Sequence, residues 1–187
     1  RSLDPYEDDQ VNSYLPTERR VRRLSAQERA DSFMGSDYTF DDFEGFSGRV
    51  MDYEWELVGQ KTILAVADSQ HSRLHVYGPA SRIPSDRWQL RDCYVVKMVP
   101  RWDGHPYGAK YVFIDRQTWL VHLALVFDRQ GQHWKTIDPI WQYPELPDDS
   151  DSASATVGRW IATIGVDLGK GNATVSQALE TTIPNMK

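Results

Sequence analysis

The chain has 187 residues, a net charge of -6 at pH 7, one cysteine and 12% aromatic residues, among them 7 Trp and 9 Tyr. That length suits one buried core in a single domain, and the acidic balance argues against general nucleic-acid binding. The lone Cys93 excludes an internal disulfide and a cysteine-built metal site, and no apolar run approaches the roughly 18 residues that span a bilayer.

Taken in order, the chain reads as strands broken by turns. Residues 11–15 form a strand stopped by Pro16, and Thr17-Glu18 turns it back into a second strand over 19–24. Arg19, Arg20, Arg22 and Arg23 line both faces of that strand, as expected either for a solvated edge or for a surface that docks an acidic partner. A helical turn is expected over 25–30. Phe33 and Met34 then form an apolar pair in a polar loop ending at Gly35. Thr39 can cap a short helix whose first turn holds Asp41, Asp42 and Glu44, where exposed amides favour negative charge. Phe40 and Phe43 share one face of it and Gly45 stops it, so the stretch reads as a short aromatic plug.

The cleanest periodicity follows. Met51, Tyr53, Trp55 and Leu57 alternate with Asp52, Glu54 and Glu56, which predicts an antiparallel strand with one buried and one wet face. Gly59-Gln60 is read as a turn into a strand over 61–67, with another strand over 73–77 and a loop over 78–86. A long strand over 88–99 ends at Pro100, and the next loop carries His105. Residues 111–114 and 118–127 form a hairpin whose second arm is apolar on both sides, so something such as the plug must cover its second face. A strand over 132–137, a mobile loop or linker over 143–154, and a hairpin of 157–166 with 173–179 complete the chain. About nine antiparallel strands with so little helix predict a mainly β fold, a curled antiparallel sheet or half-open barrel with short helices plugging its concave face.

Chemistry-bearing motifs are sparse. Asp37, Asp41, Asp42 and Glu44 offer oxygen donors, but their spacing matches no standard calcium loop and no metal is expected. His71 and His75 fall in loop and strand, and His105, His122 and His133 are scattered. Without a Gly-x-Ser-x-Gly elbow or a His-Glu-x-x-His pair, an enzyme is not expected, nor a cofactor.

Two blocks support a family resemblance. Tyr14-Leu15-Pro16 with Arg19 to Leu24, and Ser32 to Thr39 with Asp41-Asp42-Phe43, resemble the signature of outer-membrane lipoprotein-sorting-like proteins of the LolA/LolB superfamily. The strand Tyr94 to Pro100, the His105-Pro106-Tyr107 loop and the stretch Phe113 to Trp119 resemble the branch known as domain of unknown function 1329. The resemblance implies a single LolA-like domain holding lipid or acyl chains in the periplasm of a Gram-negative cell. It also implies that the chain is the C-terminal portion of a longer secreted protein, with a membrane transporter or outer-membrane component as partner. Expected ligand contacts are Phe33, Met34, Phe40, Phe43, Met51, Tyr53, Trp55, Trp119 and Leu123, as lining of an incompletely filled core. The alternative is an interaction module that docks an acidic partner through the arginine strand.

Overall fold

Strands form where β-branched and aromatic residues concentrate between Gly, Pro and Asp turns. The computed structural model describes residues 11–15, 19–24, 28–32, 35–143 and 158–177, and the predicted loop over 143–154 lies outside them except for Tyr143. A hairpin of β1 (Val11–Leu15) and β2 (Arg20–Leu24) comes first. Then follow β3 (Tyr53–Ala65), the short pair β4 (Val76–Tyr77) and β5 (Ile83–Pro84), and β6 (Gln89–Pro100). The chain continues through β7 (Ala109–Asp115), β8 (Val121–Phe127), β9 (His133–Gln142), β10 (Arg159–Asp167) and β11 (Asn172–Gln177). Seven of these pair antiparallel in the order β11-β10-β9-β8-β7-β6-β3, giving a curled sheet that does not close. The mainly β expectation is met.

Three local expectations are corrected. Gly59-Gln60 is not a turn: β3 runs straight through it, with a bulge where Leu57 opposes Val96 and Gly59 opposes Val95. A glycine at φ 156° absorbs the extra residue without breaking the strand. β9 runs on to Gln142 through Pro139, which lies past Ile137, the last β9 residue to pair with β8. Beyond that point the Trp141 indole N–H donates to the Val121 carbonyl at 2.8 Å instead. The plug is a 3-10 turn over Phe40–Gly45 whose helical dihedrals fail at Phe43 and Glu44. Leaving the helix lets the Phe43 ring pack edge-on against Tyr38 at 5.6 Å and Trp160 at 6.2 Å, and that packing outweighs the weak helical preference of so short a segment.

Register decides which side chains share a face. Met98, Lys110, Val126, Lys135 and Asp167 are successive neighbours across five strands, and so are Val96, Val112, Ala124, Ile137 and Gly165. These two rows form the inner face. Tyr38, Phe43, Phe46 and Tyr53 pack on it and complete one core. Tyr38 lies so close over Gly165 that a Cβ there would sit 2.9 Å from its ring, so this crossing needs glycine. The outer face is covered at the β9–β10 end by the excursion between β3 and β6, where Val66 and Leu74 pack on Ile140, Ala162, Ile164 and Val166. The central strands are therefore buried on the plug side, while Leu123, Leu125 and Phe127 of β8 stay half-buried on the other.

Candidate functional site: a pinned plug and an open apolar strip

Three acidic residues of the plug each meet a cation of the protein. Asp42, fully buried, receives Lys110 Nζ at 2.6 Å on one carboxylate oxygen. Its other oxygen accepts the Tyr107 hydroxyl at 2.6 Å and the Thr39 amide at 2.8 Å, the latter closing a capping box. Burial opposes charge on Asp42, but the Lys110 ammonium and these donors outweigh it and hold the carboxyl below its usual range. Asp41 receives Arg29 Nε and the Tyr53 hydroxyl, both at 2.8 Å. Asp37 pairs with Lys170 at 2.7 Å on the β10–β11 turn. Glu44, expected alongside them, points to solvent.

His105 joins this network from the 101–108 loop. Its Nδ1 accepts the Tyr107 amide at 3.0 Å, which leaves Nε2 to carry the proton, 3.4 Å from the Tyr53 hydroxyl. Burial pulls its pKa down to about 4 and pushes the Tyr53 and Tyr107 phenols up, with the charge of the neighbouring aspartates reinforcing the shift of both phenols. Beside them the buried Lys135 ammonium lies 4.0 Å from the Trp134 ring centroid, and burial pulls its pKa down. The network holds the plug in place. It presents no nucleophile paired with a base.

The rest of the inner face has no such cover among the described residues. Where strict alternation predicted a buried row on β3, only Tyr53 is enclosed, and Leu57 is 65% exposed. β3 is the last strand of the sheet, and the plug reaches only its first residues, Phe46 packing edge-on against Tyr53 at 5.4 Å and Trp55 at 5.0 Å. Beyond them exposed apolar side chains on β3 and β6, Leu57 and then Leu64 (57%) and Leu90 (75%), form a strip broken by Gln60 and by the hydrogen-bonded Thr62 and Asp92. Tyr94 and Trp119 continue it, their rings stacked at 5.8 Å. Trp119 is 69% exposed and sits at φ 62°, a backbone conformation that costs a bulky residue about 1 kcal/mol or more.

The residues singled out from sequence are thus divided. Phe40, Phe43 and Tyr53 belong to the plug and its core, and Trp55 stands where the plug ends and the strip begins. Met51 is exposed in a 3-10 turn before β3, and Trp119 lies at the far end of the strip. Leu123 alternates with Ala124 and falls on the outer face, opposite Phe113. Phe33 and Met34 lie outside the described residues. Arg19 is exposed at the β1–β2 turn, and the side chains of Arg20, Arg22 and Arg23 are not among those described. Lys110, Tyr107 and Leu90 were missed. A lysine in step with Val112 and Ile114 was a readable sign of a buried cation, whereas nothing in the sequence marks Leu90 as uncovered.

A second polar cluster lies on the outer face. Asp115 is gripped by Arg91 at 2.7 and 3.0 Å and by the Gln117 and Thr118 amides at 2.8 Å, which hold its carboxyl well below the usual range against the effect of burial. His122 is enclosed nearby, 3.9 Å from Asp115, with neither ring nitrogen hydrogen-bonded. Burial lowers its pKa to about 4 and raises the Cys93 thiol to about 11. No group of three or more His, Cys, Asp or Glu side chains among the described residues is placed to hold a metal ion.

The curled, unclosed antiparallel sheet is a fold that this chain shares with solved structures. A family model for a protein of unknown function (DUF1329) matches residues 1–186, and the chain belongs to that family. Among solved structures it is similar to a domain from Vibrio parahaemolyticus provisionally assigned to outer-membrane lipoprotein sorting, at 16% identity, TM-score 0.57 and 97% coverage of this chain. It is also similar to a DUF1329 family protein from Desulfovibrio piger, at 21% identity, TM-score 0.53 and 91% coverage. The chain spans 64% and 57% of those two proteins' lengths. No curated protein matches the sequence. Among the described residues no helix is long and apolar enough to cross a membrane.

Proposed function

We propose that the chain acts as a periplasmic carrier or binding protein for a lipid or other hydrophobic ligand, by reversible burial of apolar chains with no covalent step. The observation that carries this reading is the uncovered strip of Trp55, Leu57, Leu64, Leu90 and Trp119 beside a plug that is itself held fast. Large exposed apolar patches on folded proteins mark places where something else binds. Burying ten methylenes there would contribute about 8 kcal/mol before the costs of association, enough to hold an acyl chain without a strong polar anchor. Similarity to a domain provisionally assigned to outer-membrane lipoprotein sorting supports the same reading.

The test is uptake of a fluorescent fatty acid by the purified chain, with native mass spectrometry of protein prepared without detergent. Saturable uptake is expected, together with its loss in Trp55→Ser/Leu57→Ser. A wild-type chain that neither carries a lipid-sized mass nor takes up the probe would sink the proposal.

A further inference from the structure

The apolar strip does not end in open solvent. At the Leu90–Tyr94 end it runs into a cleft of about 430 Å³ lined by both of those residues and by Arg91, Asp92, Asp115, Arg116 and Gln117. The charges around that cleft are unequally engaged. Arg91 is tied to Asp115 through Nε and one terminal nitrogen, and that same nitrogen also donates to Gln117 Oε1 at 2.9 Å. Asp115 is further occupied by the amides of the β7–β8 turn. Asp92 turns toward β3, where its Oδ1 accepts the Thr62 hydroxyl at 2.6 Å. Arg116 is different. Its backbone amide donates to the Asp92 carbonyl, but its exposed guanidinium makes no ion pair among the described residues. The guanidinium carbon instead lies 5.6 Å from the centroid of the Tyr94 ring, the same ring that stacks on Trp119.

An arginine laid against an aromatic ring keeps its charge, loses little freedom on binding, and presents its N–H fork to an anion. Here that fork stands over Tyr94, opposite Gln60 on β3, and the apolar side chains leading away from it are Leu57 and Trp55, five residues back or about 16 Å at the usual rise per residue. That stretch has room for the part of an acyl chain next to its headgroup. We propose that the bound molecule is an anionic single-chain amphiphile, with its tail along the strip and its carboxylate or phosphate headgroup in the cleft against Arg116. This rests on the carrier reading above and adds the headgroup charge and its counter-ion.

The experiment compares three probes that share one oleoyl chain: oleate, oleoyl lysophosphatidate and neutral mono-oleoylglycerol. Each is titrated against the full chain and its Arg116→Gln and Arg116→Lys variants at neutral pH. The wild type is expected to bind both anionic probes at least about fivefold more tightly than the neutral one, as for a partly exposed charge-assisted contact. Arg116→Gln should erase that preference while leaving the neutral probe within about twofold, Arg116→Lys should keep part of it, and added salt should weaken it. Whichever anionic probe binds more tightly names the headgroup. Equal binding of all three probes, unaffected by Arg116→Gln, would overturn the headgroup assignment and leave the carrier intact. Failure of all three to bind would remove both.

Discussion

The two halves of the inner face both carry large apolar side chains and have opposite fates. Over β7 to β10, aromatic residues of the plug lie on the sheet because three aspartates reach three cations, and the surface is sealed. Over β3 and the first half of β6, Trp55, Leu57, Leu64 and Leu90 are exposed, with Gln60, Thr62 and Asp92 among them. Hydrophobic content alone therefore does not decide what is buried here. The polar contacts that fix a covering segment matter as much, and where they stop, the surface stays open among the described residues.

If the plug is held by its ion pairs, breaking the most deeply buried one has the largest effect. Asp42→Ala leaves the Lys110 ammonium enclosed without a partner and should destabilise the chain by about 3–5 kcal/mol in urea unfolding. The double variant Asp42→Leu/Lys110→Met, which removes both charges, should recover a good part of that loss. If it recovers none, the pair does more than satisfy itself.

A middle-sized effect should appear with pH. His105 and His122, held near pKa 4 by burial, stay neutral in the folded chain, while unfolded histidines titrate near about 6.5. Between those values the unfolded state binds the extra protons, so stability falls as pH drops from about 6.5 to 4. Asp138, raised to about 7 by burial, holds a proton in the folded state and loses stability as pH rises, cancelling one histidine. The net slope should be about 1.4 kcal/mol per pH unit at most. Replacing His122 by leucine removes two unsatisfied ring nitrogens and should raise stability at pH 7 by about 1 kcal/mol while flattening the slope. A His122→Leu chain that is less stable, with its pH slope unchanged, would show that the imidazole has a partner after all.

The smallest effect belongs to the open half. Leu57→Thr on the uncovered strip should change stability by no more than about 0.5 kcal/mol, because the side chain is solvated before and after unfolding. A loss comparable to that of Asp42→Ala would mean that Leu57 is covered in solution, and the contrast between the halves would vanish.

Alternation of apolar and polar residues made the antiparallel sheet legible, together with most of its strand positions. Thr39 with Asp42 was legible as a helix start, and its capping box is present. What could not be read is decided by neighbours distant in sequence. Nothing around Gly59 distinguishes a bulge from a turn until β6 lies beside it, and Pro139 is tolerable only because β8 has stopped pairing. Alternation also implied a buried row at Trp55 and Leu57, but it reports which residues share a face, not whether anything lies on that face. Asp41 and Asp42 read only as first-turn charges and Asp37 showed no partner, because Arg29, Lys110 and Lys170 stand 12, 68 and 133 residues from Asp41, Asp42 and Asp37.

Those separations also bear on how the molecule acquires its shape. The plug precedes every strand it rests on, and its contacts to Lys110 and Lys170 close only after β7 and then the β10–β11 turn exist. Contacts so remote in sequence slow the search for the native state, since chain entropy is lost long before they repay it. On a ribosome, where the N-terminal side emerges first, Tyr38, Phe43 and Phe46 would wait unsheltered through the synthesis of more than a hundred further residues. During that interval their aromatic rings would be free to engage a chaperone, and the sheet would receive its plug as the final step of assembly.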